Sequence, residues 1–188
     1  MSLAIRPATD ADDDAIWAIL EPIFRAGETY AIERDIPRAE ALAYWRAPGN
    51  DVFVAEDGAV LGTYLLHPNQ RGGGAHVCNC GFARAQAAGG RGVARGMLSH
   101  ALESARAAGF RAMQFNFVVA SNQRAVDLWQ RHGFEIVGRL PGAFAHPRLG
   151  YVDAYVMYRH LDEVDTDVDG VAGNVRSETE EAVRRDGQ

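Results

Sequence analysis

Residues 89–94 read Gly-Gly-Arg-Gly-Val-Ala and stand directly ahead of an apolar period of helical spacing. A glycine turn of this kind can aim free backbone N–H groups at one point, and the positive end of the following helix dipole adds potential there. The chemistry is that of anion binding, and a pyrophosphate suits it. Gly89, Gly90, Gly92, Val93 and Ala94 let the backbone come close to a ligand, while Arg91 and Arg95 can supply charge. A glycine motif alone is weak evidence, since a flexible turn before a helix reads the same way. A second segment, Asn122 to Phe134, reads as a short helix running into a strand, with Asn122, Ala125, Leu128, Gly133 and Phe134 at its marker positions.

Other residues could do chemistry on a partner of the anion. Asn79 and Asn116 are polar positions inside apolar strand runs. Buried amides need partners, and two of them can hold a carboxylate and orient an amine without a permanent charge; tying down a neighbouring loop is the structural alternative. Asn122 has the further alternative of a helix cap. Glu28 and Tyr30 follow the second helical stretch in Gly-Glu-Thr-Tyr, as a base and a wall or as ordinary loop residues. His76 is a weaker candidate base. Cys78 and Cys80 are two apart on a strand, which suits neither an intrachain disulfide nor, alone, a zinc site, so free thiols are expected.

The elements that must position these residues alternate in type. Strands are predicted at 3–6, 51–55, 60–66, 75–85, 111–119, 134–140 and 151–158. Helices are predicted from Thr9 or Asp10 to Leu20, over part of 21–30, and at 38–46, 90–108 and 122–132. Asp57-Gly58 marks a hairpin, and Pro141-Gly142 with Pro147 marks a loop. A meander followed by β-α-β-α-β implies an α/β fold with a mixed sheet and helices on both faces.

The 188 residues suit one domain over 1–160, followed by an acidic, disordered tail at 161–188. The formal charge of −6 resides in that tail, which holds nine acidic and three basic residues; the body is neutral. No basic stripe points to nucleic acid, and no apolar run or leader points to a membrane or to secretion, so a cytoplasmic location is expected. All 19 basic residues are arginine, which fits a GC-rich bacterial coding bias.

Together the two motifs resemble the acyl-CoA signature of the GCN5-related N-acetyltransferase (GNAT) superfamily. The first follows Gln/Arg-x-x-Gly-x-Gly/Ala, with Gly89 in place of the usual Gln or Arg. The second follows Asn-x-x-Ala-x-x-Leu-Tyr, with Trp129 in place of the tyrosine often held to protonate the leaving thiolate. Indole has only an N–H donor, so packing is the expected role of Trp129. The resemblance implies a sheet of about seven strands whose parallel strands 4 and 5 splay apart, with Phe82, Ala83 and Arg84 pairing with the pantetheine of acetyl-CoA in the gap. It further implies direct attack of an amine on the thioester, with a backbone N–H of strand 75–85 stabilising the oxyanion.

Within the superfamily, Asn79-Cys-Gly-Phe82, Met113–Val119, Ser121-Asn122, Leu128–Gln130, Leu140–Phe144 and Met157-Tyr158 resemble the group of the yeast azetidine-2-carboxylate N-acetyltransferase. That implies a small amino or imino acid as acceptor, with Asn116 and Asn122 at the reacting centre and Asn79, Asn116, Glu28 and Tyr30 binding the acceptor. A homodimer is compatible with it. Phosphinothricin-type or other small-amine acetyl transfer is the alternative within enzymes, and a non-catalytic acyl-CoA sensor the alternative outside them.

Overall fold

A computed structural model describes residues 3–161. Seven strands form one sheet: β1 (Ala4–Pro7), β2 (Asp51–Glu56), β3 (Val60–Pro68), β4 (Val77–Arg84), β5 (Ala112–Val119), β6 (Glu135–His146) and β7 (Gly150–His160). They lie in the order β1-β2-β3-β4-β5-β7-β6. Helices α1 (Asp13–Ala26) and α2 (Arg38–Trp45) cover one face, and α3 (Val93–Ala107) and α4 (Gln123–Arg131) the other. Each face therefore has its own core. Ile16, Leu20, Phe24 and Trp45 pack on Val54, Leu65 and Ala83. Met97, Leu98, Ala101, Val126 and Trp129 pack on Tyr64, Cys78, Met113 and Phe115. Both cysteines are free and buried, and burial pushes both thiols up.

Every neighbouring pair is antiparallel except β4 and β5. That parallel pairing is brief: Val77↔Ala112, Cys78↔Met113 and Asn79↔Gln114. Beyond Asn79 the strands separate, as the family resemblance implies.

Several boundaries differ from the sequence expectation, each for a physical reason. The helix predicted to stop at Leu20 and give way to a second one is a single helix to Ala26, carried through Pro22. The ring removes one helical donor at a cost of about 3 kcal/mol, but Ile16, Ile19, Leu20 and Phe24 form one buried stripe on both sides of it. The main helix begins at Val93 and not at Gly90, because Gly90 and Gly92 are left-handed at φ 77° and 75°. The loop expected at Pro141-Gly142 is strand: β6 runs on to His146. Proline is tolerated there because β6 is the outer strand of the sheet. The extra residues bulge between Leu140 and Phe144, and the Asp153 carboxylate accepts the Gly142 N–H at 2.8 Å. The body also runs one residue beyond 160. Leu161 is buried, its N–H donates to the Arg111 carbonyl (2.8 Å), and its own carbonyl accepts Arg106 Nε (3.0 Å). The acidic segment from 162 onward, expected to be disordered, lies outside the described residues.

Candidate active site

The gap between β4 and β5 opens into a cavity of about 960 Å³. Ala85 N–H donates to the Leu61 carbonyl and Asn69 N–H to the Val77 carbonyl. These bonds fix which residues of β4 face β3. By the alternation of an antiparallel ladder, the backbone groups of Phe82 and Arg84 then point toward the β5 side. No strand meets them there, so they line the gap as an open edge. One group is already spoken for: Tyr30 Oη donates to the Phe82 carbonyl at 2.8 Å. Tyr30 is wedged edge-on against Phe24 and Trp45, and burial pushes its phenol well above the ordinary value. The other wall is aromatic, with Trp129 packed at 5.2 Å from Phe82 and 4.9 Å from Phe115 between ring centroids.

At one end of the cavity lies the glycine turn. Gly92 occupies the N-cap position of α3 without a side-chain cap, so the first amides of the helix, from Val93, Ala94 and Arg95, have no partner in their own helix. A Cβ placed on Gly90 or Gly92 would meet nothing within 4 Å. The turn is thus an open cradle of donors at the positive end of a 15-residue helix. Arg84 lines the cavity beside Gly89, and its Nη1 donates to the Ala85 carbonyl. Arg91 does not stand free to meet an anion: it pairs with Asp57 of the β2–β3 turn at 2.6 Å. Arg95 is exposed on the first turn of α3.

At the other end the walls are polar side chains. Cross-strand register places His67 (β3), Asn79 (β4) and Gln114 (β5) in one row on the face covered by α1 and α2. Asn79 Nδ2 donates to the Gln114 carbonyl at 3.0 Å, where the two strands part. Asn116 is exposed and not buried, contrary to its apolar sequence surroundings, because it lies past the point of separation. It accepts from Gln114 Nε2 and donates to Asn69 Oδ1, both at 2.7 Å. Asn122 caps α4, its Oδ1 accepting the Ala125 N–H at 3.4 Å, and its side of the helix lines the cavity. Glu28 lines the mouth and pairs with Arg148 of the β6–β7 turn at 2.6 Å.

The acetyltransferase (GNAT) family model matches residues 14–134 of this chain. The chain belongs to the GNAT acetyltransferase family. A GCN5-related N-acetyltransferase from Kribbella flavida shares its fold at a TM-score of 0.80 and 44% identity, over 84% of this chain and 97% of that one. N-acetyltransferase aca1 of Schizosaccharomyces pombe is 28% identical over 162 residues, 74% of this chain and 75% of that protein. A GNAT phosphinothricin acetyltransferase from Sinorhizobium meliloti, solved with acetyl-CoA, shares the fold alone, at a TM-score of 0.74 and 23% identity over 85% of this chain and 89% of that one.

This GNAT protein is an acetyl-CoA-dependent N-acetyltransferase. Its residues fit the donor: an open cradle at α3 suits a pyrophosphate, and the unpaired inner edge of β4 suits the amides of a pantetheine arm. When bound, acetyl-CoA supplies an activated thioester carbonyl for attack by an amine.

The sequence brings Asn79, Asn116, Asn122, Glu28 and Tyr30 to this cavity, and the structure lines it with all five. His76 is exposed, its carbonyl accepting the Arg111 N–H, and it is not among the lining residues. Sequence reasoning missed His67, which lines the cavity, and Asn69, Gln114 and Arg148, which hold the lining residues Asn116, Asn79 and Glu28. For His67 a signal was available, since extending β3 by two residues to Pro68 places it opposite Asn79. For Arg148, 120 residues from Glu28, no local signal exists.

Among the described residues no helix is long and apolar enough to cross a membrane.

Proposed function

We propose that the acceptor is a small amino or imino acid whose amine is acetylated at the point where β4 and β5 part. The observation that carries this reading is the amide set at that point. Asn79 and Asn116 each keep hydrogen-bonding capacity after their internal bonds, and both face the cavity beside the inner edge of β4. A carboxylate held there would set an adjacent amine over the thioester carbonyl, and proximity would supply much of the rate. In this reading Phe82 and Arg84 offer the backbone groups that bind the pantetheine arm, and Ala83 between them lines the cavity with its own backbone turned to β3. Gly89 to Arg95 bind the pyrophosphate, mainly through backbone amides. Asn122 orients α4 at the reacting centre, and Glu28 and Tyr30 close the acceptor side.

The resemblance to the azetidine-2-carboxylate group supports the same acceptor class. A panel of azetidine-2-carboxylate, proline, phosphinothricin and a polyamine, assayed with acetyl-CoA by thiol release, tests it. Turnover is expected for the amines that bear a carboxylate. Turnover confined to the polyamine would overturn the acceptor assignment. Tight acetyl-CoA binding with no turnover of any of the four would place the acceptor outside this class.

A further inference from the structure

We propose that His67 is the general base of the transfer, taking the proton of the acceptor nitrogen on its Nε2 atom. The inference rests on the placement of the acceptor beside Asn79.

His67 Nδ1 lies 2.9 Å from the Pro68 carbonyl oxygen. A carbonyl oxygen can only accept, so Nδ1 carries the hydrogen, and in the neutral ring Nε2 is left with a lone pair. The ring lines the cavity, and its residue pairs directly across the ladder with Asn79, where the sheet opens. Among the described residues the ring's one hydrogen bond is to the next residue in its own chain, so the side chain ties no other element in place.

The other titratable and charged groups that line the cavity are unsuited to the task. From the α1–α2 loop, Glu28 is held by Arg148 and Tyr30 spends its hydroxyl on the Phe82 carbonyl. Tyr44 of α2 and Cys80 of β4 are both pushed up by burial. Arg84 and Arg124 are permanent cations. Asn79 and Gln114, the row neighbours of His67, are neutral. An imidazole with a free ring nitrogen is the side chain type that most often moves a proton in such a step.

The step balances with no further reactant. Nε2 first takes one proton from the acceptor ammonium, which frees the nitrogen lone pair. That lone pair forms the N–C bond to the acetyl carbon, the C–S bond breaks, the second N–H proton leaves to solvent, and the departing thiolate takes up a proton from solvent. His67 returns its proton to water.

The test is the pH profile of kcat/KM for the full chain with His67→Gln and His67→Asn, on azetidine-2-carboxylate or whichever amine the wild type acetylates. Asparagine keeps a donor for the Pro68 carbonyl but has no base. Both variants are expected to lose about a hundredfold at pH 7. That deficit should shrink toward tenfold or less at pH 10, where the amine sheds its proton unaided, while acetyl-CoA KM and thermal midpoint stay put. Three results overturn the proposal: activity within a few fold of wild type at pH 7, a deficit equal at every pH, or rescue by asparagine. A ¹⁵N imidazole spectrum gives a check that needs no acceptor, with the His67 signals assigned by their loss in His67→Asn. A hydrogen on Nε2 of the neutral ring would sink the assignment even if the panel finds no acceptor, whereas failure of the panel alone counts only against the acceptor class.

Discussion

In the proposed reading, recognition at the turn end of the cavity falls to main chain: the uncapped amides of α3, the left-handed Gly90 and Gly92, and the open edge of β4. At the other end it would fall to side chains drawn from across the chain, with Glu28, His67, Asn79, Asn116 and Arg148 each on a different element or turn. A main-chain site depends on conformation and tolerates change in side chains that merely flank it. A side-chain site depends on identity at each position and is free to change acceptor without altering the fold. The donor end is accordingly generic and the acceptor end particular, and substitutions at the two ends should fail in different ways.

The largest effect is expected where a charge enters the cradle. Ala94→Glu places a carboxylate at the anion position without disturbing a left-handed residue, and like-charge contact costs several kcal/mol. Calorimetry should show acetyl-CoA affinity reduced by roughly a hundredfold or more, and the ligand-induced rise in melting temperature should vanish. Undiminished binding would remove the cradle from the donor site.

Next comes Asn79→Ala. Loss of a hydrogen bond to a charged group costs about 1.5–3 kcal/mol, so kcat/KM for the acceptor should drop roughly ten- to a hundredfold with acetyl-CoA affinity nearly unchanged. Asn79 also holds the Gln114 carbonyl, so a stability loss near 1 kcal/mol is expected alongside. If denaturant melts show that loss while acceptor kinetics stay intact, the amide is a brace for the parting strands and nothing more.

Arg148→Ala should act more weakly. Its pair with Glu28 is exposed, so global stability should move by no more than about 0.5 kcal/mol. The acceptor KM should nonetheless rise by a few fold for a carboxylate-bearing amine and not for one without, since the guanidinium places a cation beside Glu28 at the mouth. An equal change for both amines would show that the turn only shapes the opening. The smallest effect is expected at Arg91, already committed to Asp57. Arg91→Ala should weaken acetyl-CoA by about threefold or less, and a larger drop would mean that the pair breaks to engage the phosphates.

The same contrast explains what could be read from the chain alone. The cradle was legible because its parts are contiguous: glycines that permit positive φ, then an amphipathic helix. Asn122 as a cap was legible for the same reason, a local bond to Ala125. The splay of β4 and β5 came through family resemblance, since no pattern within either strand says where a parallel pairing stops. The Glu28–Arg148 pair spans 120 residues and depends on where the β6–β7 turn lands. That landing was hidden, because Pro141-Gly142 reads as a loop until the strand is known to lie at the margin of the sheet. Asn116 was misjudged as buried because its neighbours are apolar, although the residue lies past the last paired position of β5 with β4.

The early end of the β4–β5 ladder also bears on strand pairing between molecules. The outer margin at β6 is protected against intermolecular strand pairing by Pro141, a bulge and the Arg139–Asp153 pair. Among the described residues the inner margin from Phe82 to Arg84 has one such guard, the Tyr30 hydroxyl on the Phe82 carbonyl. With the donor bound, its amides would occupy that margin; without it, an extended segment of another molecule could add there instead. Acetyl-CoA would then act as an anti-aggregation plug as well as a substrate, and light scattering of concentrated, ligand-stripped protein should fall when it is added back.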